Sequence, residues 1–451
     1  MKASWLELSV FASLALAASG CSWSRFDDVT KNSPIVLFEK PSSLKSGFGF
    51  SLATATNQGQ TEVLVAGASS GSRAALYEIG QEDAPGTTAV DDGYCESGDQ
   101  TCFLSSFTAG FANATGPDKA RPLCFAVGSG ASVGAVSAGL IVRCRDTAQY
   151  ALDVPTAAKE RLLTALAQNQ PADYPMATDR SDDPLLLASL PEKHVAWFYP
   201  AKSTDFRELL PPEGVPVDDP SFGASLAVLA VAGGRVLAVG VPGKSEVLLW
   251  KAEGAGDAKY IGCFGGLAGM GRALTAGRVN RDDSDDLVVS DASNVHVIDG
   301  ASLFQLPRTS SAECSFSALP SGALLSSFGC GSTSSVTGCD QSEFGAALAV
   351  GDLDGDGDGE VIVGAPKMTV RGESSAGALL VYDADVSSDA ALVEAKFISS
   401  AESGDELGRS IVTPRIGKRD IIAAGAPGNG KAALFYCSAL LAAGAAGSRC
   451  P

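Results

Sequence analysis

The stretch FGAALAVGDLDGDGDGEVIVGAP, residues 344–366, decides how this chain reads. Two short apolar runs flank DLDGDGDGE, in which five carboxylates fall within the nine residues Asp352 to Glu360. The runs are rich in Ala, Val, Leu and Ile, are too short for stable helices and are bounded by Gly or Pro. They predict two strands joined by an acidic turn.

So much like charge in one turn calls for a counter-ion. Asp352, Asp354 and Asp356 occupy alternate positions, Gly357 the sixth, Asp358 the seventh and Glu360 the ninth. Hard Ca²⁺ takes roughly six to eight oxygens at ~2.3–2.6 Å, and a tight loop carries alternate side chains to one point. Gly357 supplies the positive φ such a turn requires. The candidate Ca²⁺ ligands are therefore Asp352, Asp354, Asp356, Asp358 and Glu360, with Asp358 offering its backbone carbonyl while its side chain faces water. An EF-hand needs an acid at position twelve and a following helix, whereas position twelve here is Val363 inside an apolar run. A solvated acidic turn is the alternative.

The same sentence recurs along the chain: FGFSLATATNQGQTEVLVAGASS from Phe48, FGASLAVLAVAGGRVLAVGVPG from Phe222, MGRALTAGRVNRDDSDDLVVSDA from Met270 and LGRSIVTPRIGKRDIIAAGAPG from Leu407. A third β-like segment follows each second run, as in AALYEI, SEVLLW, NVHVID, GALLVYD and KAALFY. Two weaker units, RPLCFAVGSGASVGAVSAGLIVRCRD and DDPLLLASLPEKHVAWFYPA, fill the gap before Phe222 and bring the number to seven. Several short strands per unit at long period indicate a propeller or a solenoid. The spacing from Phe222 to Met270, Phe344 and Leu407 is uneven, which suits blades with variable loops better than stacked rungs.

The expectation is an all-β chain: a seven-bladed β-propeller of four-stranded antiparallel blades, with a strand at Ile35–Glu39 completing the blade of the C-terminal unit and closing the ring. Residues 35–451 then form one domain, with a disulfide-pinned loop inserted at about 305–340 and a short tail from about 438. The loop at RVNRDDSDD aligns Arg278 with Asp352, Asn280 with Asp354, Asp282 with Asp356 and Asp286 with Glu360. It reads as a degenerate metal loop in which the Arg278 guanidinium pairs with Asp282 or Asp286 in place of an ion. The turns at TNQGQTE, AGGR and IGKRD are expected to hold no metal.

The order Phe-Gly, DxDxDG, Gly-Ala-Pro resembles the FG-GAP repeats of integrin alpha-subunit seven-bladed propellers and their bacterial relatives. It is strongest at Phe344, good at Phe48, Phe222 and Leu407, and degenerate in the two weaker units. The resemblance implies a calcium-bound propeller that adheres to or binds a ligand.

Residues 1–20, MKASWLELSVFASLALAASG, with Cys21 behind them, resemble a bacterial lipoprotein signal peptide. An ordinary secretory signal is the alternative. Cys21 is the expected lipidation site, residues 21–34 a linker, and Ser22 in place of an inner-membrane retention Asp indicates the outer membrane. The eleven cysteines agree with export, because an oxidising compartment lets them pair. Short-range partners are Cys95 with Cys102, Cys124 with Cys144, Cys330 with Cys339 and Cys437 with Cys450, leaving Cys263 with Cys314. Zinc is the competing reading, but it prefers CxxC-type spacing or paired histidines.

A formal charge of −19 repels nucleic acid and anionic lipid. The two histidines, His194 and His296, sit in strand-like runs, and no GxSxG elbow or phosphate loop with its Lys-Ser/Thr appears. Trp197, Phe198 and Tyr199 are candidates for a ligand surface or for blade core, and Arg371-Gly372-Glu373 for an exposed binding loop. The reading is a lipid-anchored, calcium-binding module for a protein or glycan ligand rather than an enzyme. The alternative is an exported hydrolase or lyase using carboxylates at a central channel.

Overall fold

The computed structural model describes residues 35–40, 47–57, 60–66, 74–80, 85–91, 109–112, 123–129, 139–144, 150–151, 176–178, 185–190, 194–198, 207–209, 219, 221–253, 257–306, 314–331, 336–383, 391–398 and 400–436. Among them the chain is all-β, with seven four-stranded antiparallel sheets, two two-stranded ribbons and a few short helical turns.

Sheet 1 holds Ser51–Asn57, Gln60–Ala66, Ala74–Ile79 and Thr87–Asp91. Sheet 2 holds Ala109–Ala112, Leu123–Ser129, Gly139–Cys144 and Tyr150–Ala151, and sheet 3 holds Met176–Thr178, Leu186–Leu190, His194–Phe198 and Arg207–Glu208. Sheet 4 comprises Ser225–Val231, Gly234–Val241, Glu246–Ala252 and Lys259–Gly265; sheet 5 comprises Leu274–Gly277, Asp286–Ser290, Asn294–Ile298 and Leu324–Gly329. Sheet 6 comprises Leu348–Gly351, Glu360–Ala365, Ala378–Asp383 and Ala391–Lys396. Sheet 7 takes Ser410–Val412, Ile422–Ala426 and Lys431–Phe435 from the C-terminal unit and Ile35–Leu37 from the other end of the described chain. In that last pair Ile35 lies opposite Phe435 and Leu37 opposite Ala433. First strands neighbour one another in chain order, from Ser51–Asn57 through Ala109–Ala112, Met176–Thr178, Ser225–Val231, Leu274–Gly277 and Leu348–Gly351 to Ser410–Val412, which lies against Ser51–Asn57.

The core is a series of layers between neighbouring sheets. Val361 and Val363 point into the layer shared with Val288, Val295 and Val297 of sheet 5. Ile362, between them in sequence, points into the layer shared with Ile411, Ile422 and Ala424 of sheet 7. Strand side chains alternate faces, so a strand buried on both faces reads as an unbroken apolar run. The layer between sheets 7 and 1 is built the same way, from Ala423 and Leu434 against Leu52, Val63 and Val65. Each fully buried Val or Leu of this kind contributes about 1.5–3 kcal/mol of transfer free energy.

The FG and GAP positions have a steric cause. Phe48, Phe222, Met270, Phe344 and Leu407 are buried, and the glycine after each has positive φ. Within a unit that glycine donates its N–H to the GAP glycine, as Gly223 does to Gly240, Gly345 to Gly364 and Gly408 to Gly425. Between units the GAP glycine abuts the next FG glycine. A Cβ on Gly240, Gly364 or Gly425 would strike the carbonyl oxygen of Gly271, Gly408 or Gly49.

One expectation is corrected here. The segment at about 305–340 is not simply a pinned loop: Leu324–Gly329 is the fourth strand of sheet 5, and Val336–Thr337 pairs with Thr369–Val370 beside sheet 6. Its Ser and Gly content hid a strand whose buried side chains are only Ser326 and Phe328. Cys263 is bonded to Cys314 and Cys330 to Cys339. Cys124 lies opposite Cys144 in the register of sheet 2. Cys21, Cys95, Cys102, Cys437 and Cys450, with the signal-like segment and the C-terminal tail, lie outside the described residues. Among the described residues no helix is long and apolar enough to cross a membrane.

Candidate metal centre

The acidic segment is the turn between Leu348–Gly351 and Glu360–Ala365, closed by pairing of Gly351 with Glu360. Gly355 and Gly357 both have positive φ, and the chain folds into successive Asx turns. The Gly355 N–H donates to Asp352 Oδ1 at 2.7 Å, the Asp356 N–H to Asp354 Oδ1 at 3.1 Å and the Asp358 N–H to Asp356 Oδ1 at 3.0 Å. These bonds turn alternate carboxylates inward. Asp352, Asp354 and Asp356 each present an oxygen within 4.8 Å of the others.

Asp358 and Glu360 stand outside that group of three. Glu360 Oε2 accepts the Leu353 N–H at 2.8 Å and latches the base of the turn. Burial, with the charges of Asp354 and Asp356 adding to it, pushes Glu360 up to about 8. Burial also raises Asp354, with Asp356 and Asp352 contributing repulsion. The expectation that the Asp358 side chain faces water is wrong. It is 6% exposed, and its Oδ2 accepts from Arg281 Nε at 2.6 Å.

Arg281 comes from the neighbouring sheet 5 turn, and its Nη2 also reaches Asp356 Oδ2 at 3.3 Å. On the opposite flank, the sheet 7 turn places Arg415 Nη1 3.8 Å from Asp352 Oδ2 and 3.5 Å from Asp420 Oδ1. Asp420 and Asp352 are joined at two points: the Asp352 N–H donates to Asp420 Oδ2, and the Asp420 N–H donates to the Asp352 carbonyl. Asp285 and Ala230 repeat that double link between sheets 5 and 4. Position in the chain gave no sign of these contacts, because each crosses from one unit's turn to the next.

The donor set suits a hard cation: it is all oxygen, convergent and only partly compensated by Arg281 and Arg415. The Asp358 Oδ1 atom is buried and accepts no hydrogen bond. The residues present fit a hard cation such as Ca²⁺, which Asp352, Asp354 and Asp356 could hold through their side chains.

The second turn differs. Asp282 and Asp286 converge with Asp299, which follows the third strand of sheet 5, while Asn280 accepts the Asp282 N–H instead. Asp286 is buried and accepts from the N–H groups of Val279, Asn280 and Gly300. Burial still pushes it up to about 7. Arg278 is exposed and makes no ion pair with Asp282 or Asp286, contrary to the sequence reading. Backbone N–H groups take the place assigned to it.

Elsewhere, His296 is buried on the third strand of sheet 5, with Nε2 2.9 Å from Asp291 Oδ2, Nδ1 2.7 Å from Ser327 Oγ and Phe316 packed on the ring. Asp291 also accepts from the N–H groups of Ser293 and Asn294, so the network clasps a turn. His194, Trp197 and Phe198 lie on the third strand of sheet 3, and Tyr199 falls outside the described residues. Arg371, Gly372 and Glu373 form an exposed turn, with the Arg371 guanidinium over the Phe397 ring.

Residues 344–382, from the buried Phe344 through the acidic turn to Tyr382, match the family model of the FG-GAP repeat. The chain carries an FG-GAP repeat. The matched repeat contains the whole candidate metal turn and the first two strands of sheet 6, and it ends within the third. No curated protein matches the chain.

Proposed function

We propose that this FG-GAP protein is a closed seven-bladed β-propeller that binds Ca²⁺ in its 352–360 turn and presents its loops to a protein or glycan ligand. The convergence of Asp352, Asp354 and Asp356 at the end of a strand pair carries the calcium reading. Support for the ring comes from the seven sheets, the cyclic order of their first strands and the apolar layer between sheets 7 and 1. The exposed Arg371-Gly372-Glu373 turn is a candidate contact for the ligand.

Binding rather than catalysis is the role we assign, with attachment to the outer membrane through a lipid on Cys21. Calcium is tested by thermal unfolding with excess Ca²⁺ or EGTA. Wild type gains stability from the ion, because it binds the native state, while Asp354→Ala does not. No shift in wild type rejects the metal. A glycan and protein array probed with and without Ca²⁺ tests the binding role, beside a hydrolase panel for the competing one. Loss of palmitate-analogue labelling in Cys21→Ser tests the anchor.

A further inference from the structure

We propose that Arg281, carried on the turn of sheet 5, is the resident counter-cation of the acidic turn of sheet 6 and sets how tightly that turn holds Ca²⁺. This rests on the calcium reading above.

Asp358 meets Arg281 across the boundary between sheets 6 and 5. Its carboxylate is 6% exposed, and Arg281 is its ion-pair partner among the described residues, through Nε at 2.6 Å. A buried carboxylate is tolerated only when paired and hydrogen-bonded. The same guanidinium touches Asp356, one of the three convergent carboxylates, on Oδ2 at 3.3 Å. Asp356 Oδ1 is meanwhile engaged by the Asp358 N–H. An ion drawing on Asp356 therefore shares that carboxylate with a fixed positive charge. Arg415 on the other flank is farther, 3.8 Å from Asp352, and divides its charge with Asp420.

Two consequences follow. Without calcium, part of the turn's charge is already compensated across the sheet boundary, so the turn stays folded against its neighbour. With calcium, Arg281 opposes the ion while Asp358 screens that opposition. The two partners of one ion pair thus act on calcium affinity in opposite directions, which a merely structural contact does not do. For charges of +2 and +1 about 6 Å apart in a water-like dielectric, Coulomb's law gives roughly a five- to ten-fold change in affinity.

The test is calorimetric titration of the purified protein with CaCl₂ at low ionic strength, paired with thermal unfolding in EGTA. Arg281→Gln binds calcium about five- to ten-fold tighter than wild type and melts lower in EGTA; Asp358→Asn binds more weakly by a similar factor. Arg281→Lys keeps the charge and stays within about two-fold of wild type. Unchanged affinity in both Arg281→Gln and Asp358→Asn, or weaker binding in both, overturns the proposal while leaving the calcium reading intact. Absence of binding in wild type removes both.

Discussion

The Ser410 hydroxyl donates a 2.8 Å hydrogen bond to the carbonyl of Gly49, 361 residues earlier in the chain. Ser225 makes the same bond to Gly271, and Ser290 to Gly345, so the link between sheets 7 and 1 has the chemistry of the links between sheets 4 and 5 and between 5 and 6. Each joins one sheet to the FG glycine of the next. The close approach behind the Ser410 and Ser225 bonds requires a residue without Cβ at Gly425 and at Gly240.

Gly425→Ala forces a methyl group into the Gly49 carbonyl and separates two sheets, and it is expected to cost about 3 kcal/mol or more. Gly357→Ala meets no atom within 4 Å, and only its positive φ resists, at about 1–2 kcal/mol. Urea midpoints of the two variants in EGTA give the order directly. A larger loss at Gly357 contradicts the packing account.

Deleting the chain through Glu39 removes Ile35–Leu37, the Phe38 N–H bond to the Ala432 carbonyl and the bond from the Tyr77 hydroxyl to the Glu39 carbonyl. It also removes the buried Phe38 ring, which lies 4.9 Å from that of Tyr77. The loss of that ring alone is expected to lower stability by about 1.5–3 kcal/mol. It also leaves Lys431–Phe435 as a bare edge that invites association. Unfolding midpoints and size-exclusion profiles check both effects; an unchanged midpoint argues against a stabilising role for this strand.

In EGTA, stability is expected to fall as pH rises from about 5 to about 8. Glu360 ionises near 4.5 in the unfolded chain and near 8 in the folded one, so across that window the folded state retains a proton that the unfolded state releases. Asp286, raised from 3.8 to about 7, acts in the same direction. Glu360→Gln flattens the slope. The proposed Ca²⁺ would favour the ionised carboxylates, so the stabilisation expected from it grows over the same interval. Urea midpoints at several pH values, with and without Ca²⁺, test the sign.

The two described disulfides should differ in worth. Cys263–Cys314 closes a separation of 51 residues and ties the outer strand of sheet 4 to the segment preceding the outer strand of sheet 5, while Cys330–Cys339 spans 9. Chain-entropy scaling gives about 4 kcal/mol for the first and about 2.5 kcal/mol for the second. Paired Cys→Ser variants, compared by denaturant midpoint, test the ranking.

Local patterning in the sequence is enough to place the first three strands of sheets 1 and 4, the strands of sheets 6 and 7, the acidic turn and the buried residue before each FG glycine. Alternation, turn residues and carboxylate spacing act over a few residues, and the packing does not override them. Leu324–Gly329 escaped that reading because an outer strand with two buried side chains has too little apolar pattern to announce itself. Only the tertiary structure decides what Arg278 and Arg281 do: three positions apart in one turn, the first is exposed and the second reaches Asp356 and Asp358 of the next sheet. Charge pairing depends on distance in space, and sheets packed face to face bring Arg281 to carboxylates 75 and 77 residues farther along the chain.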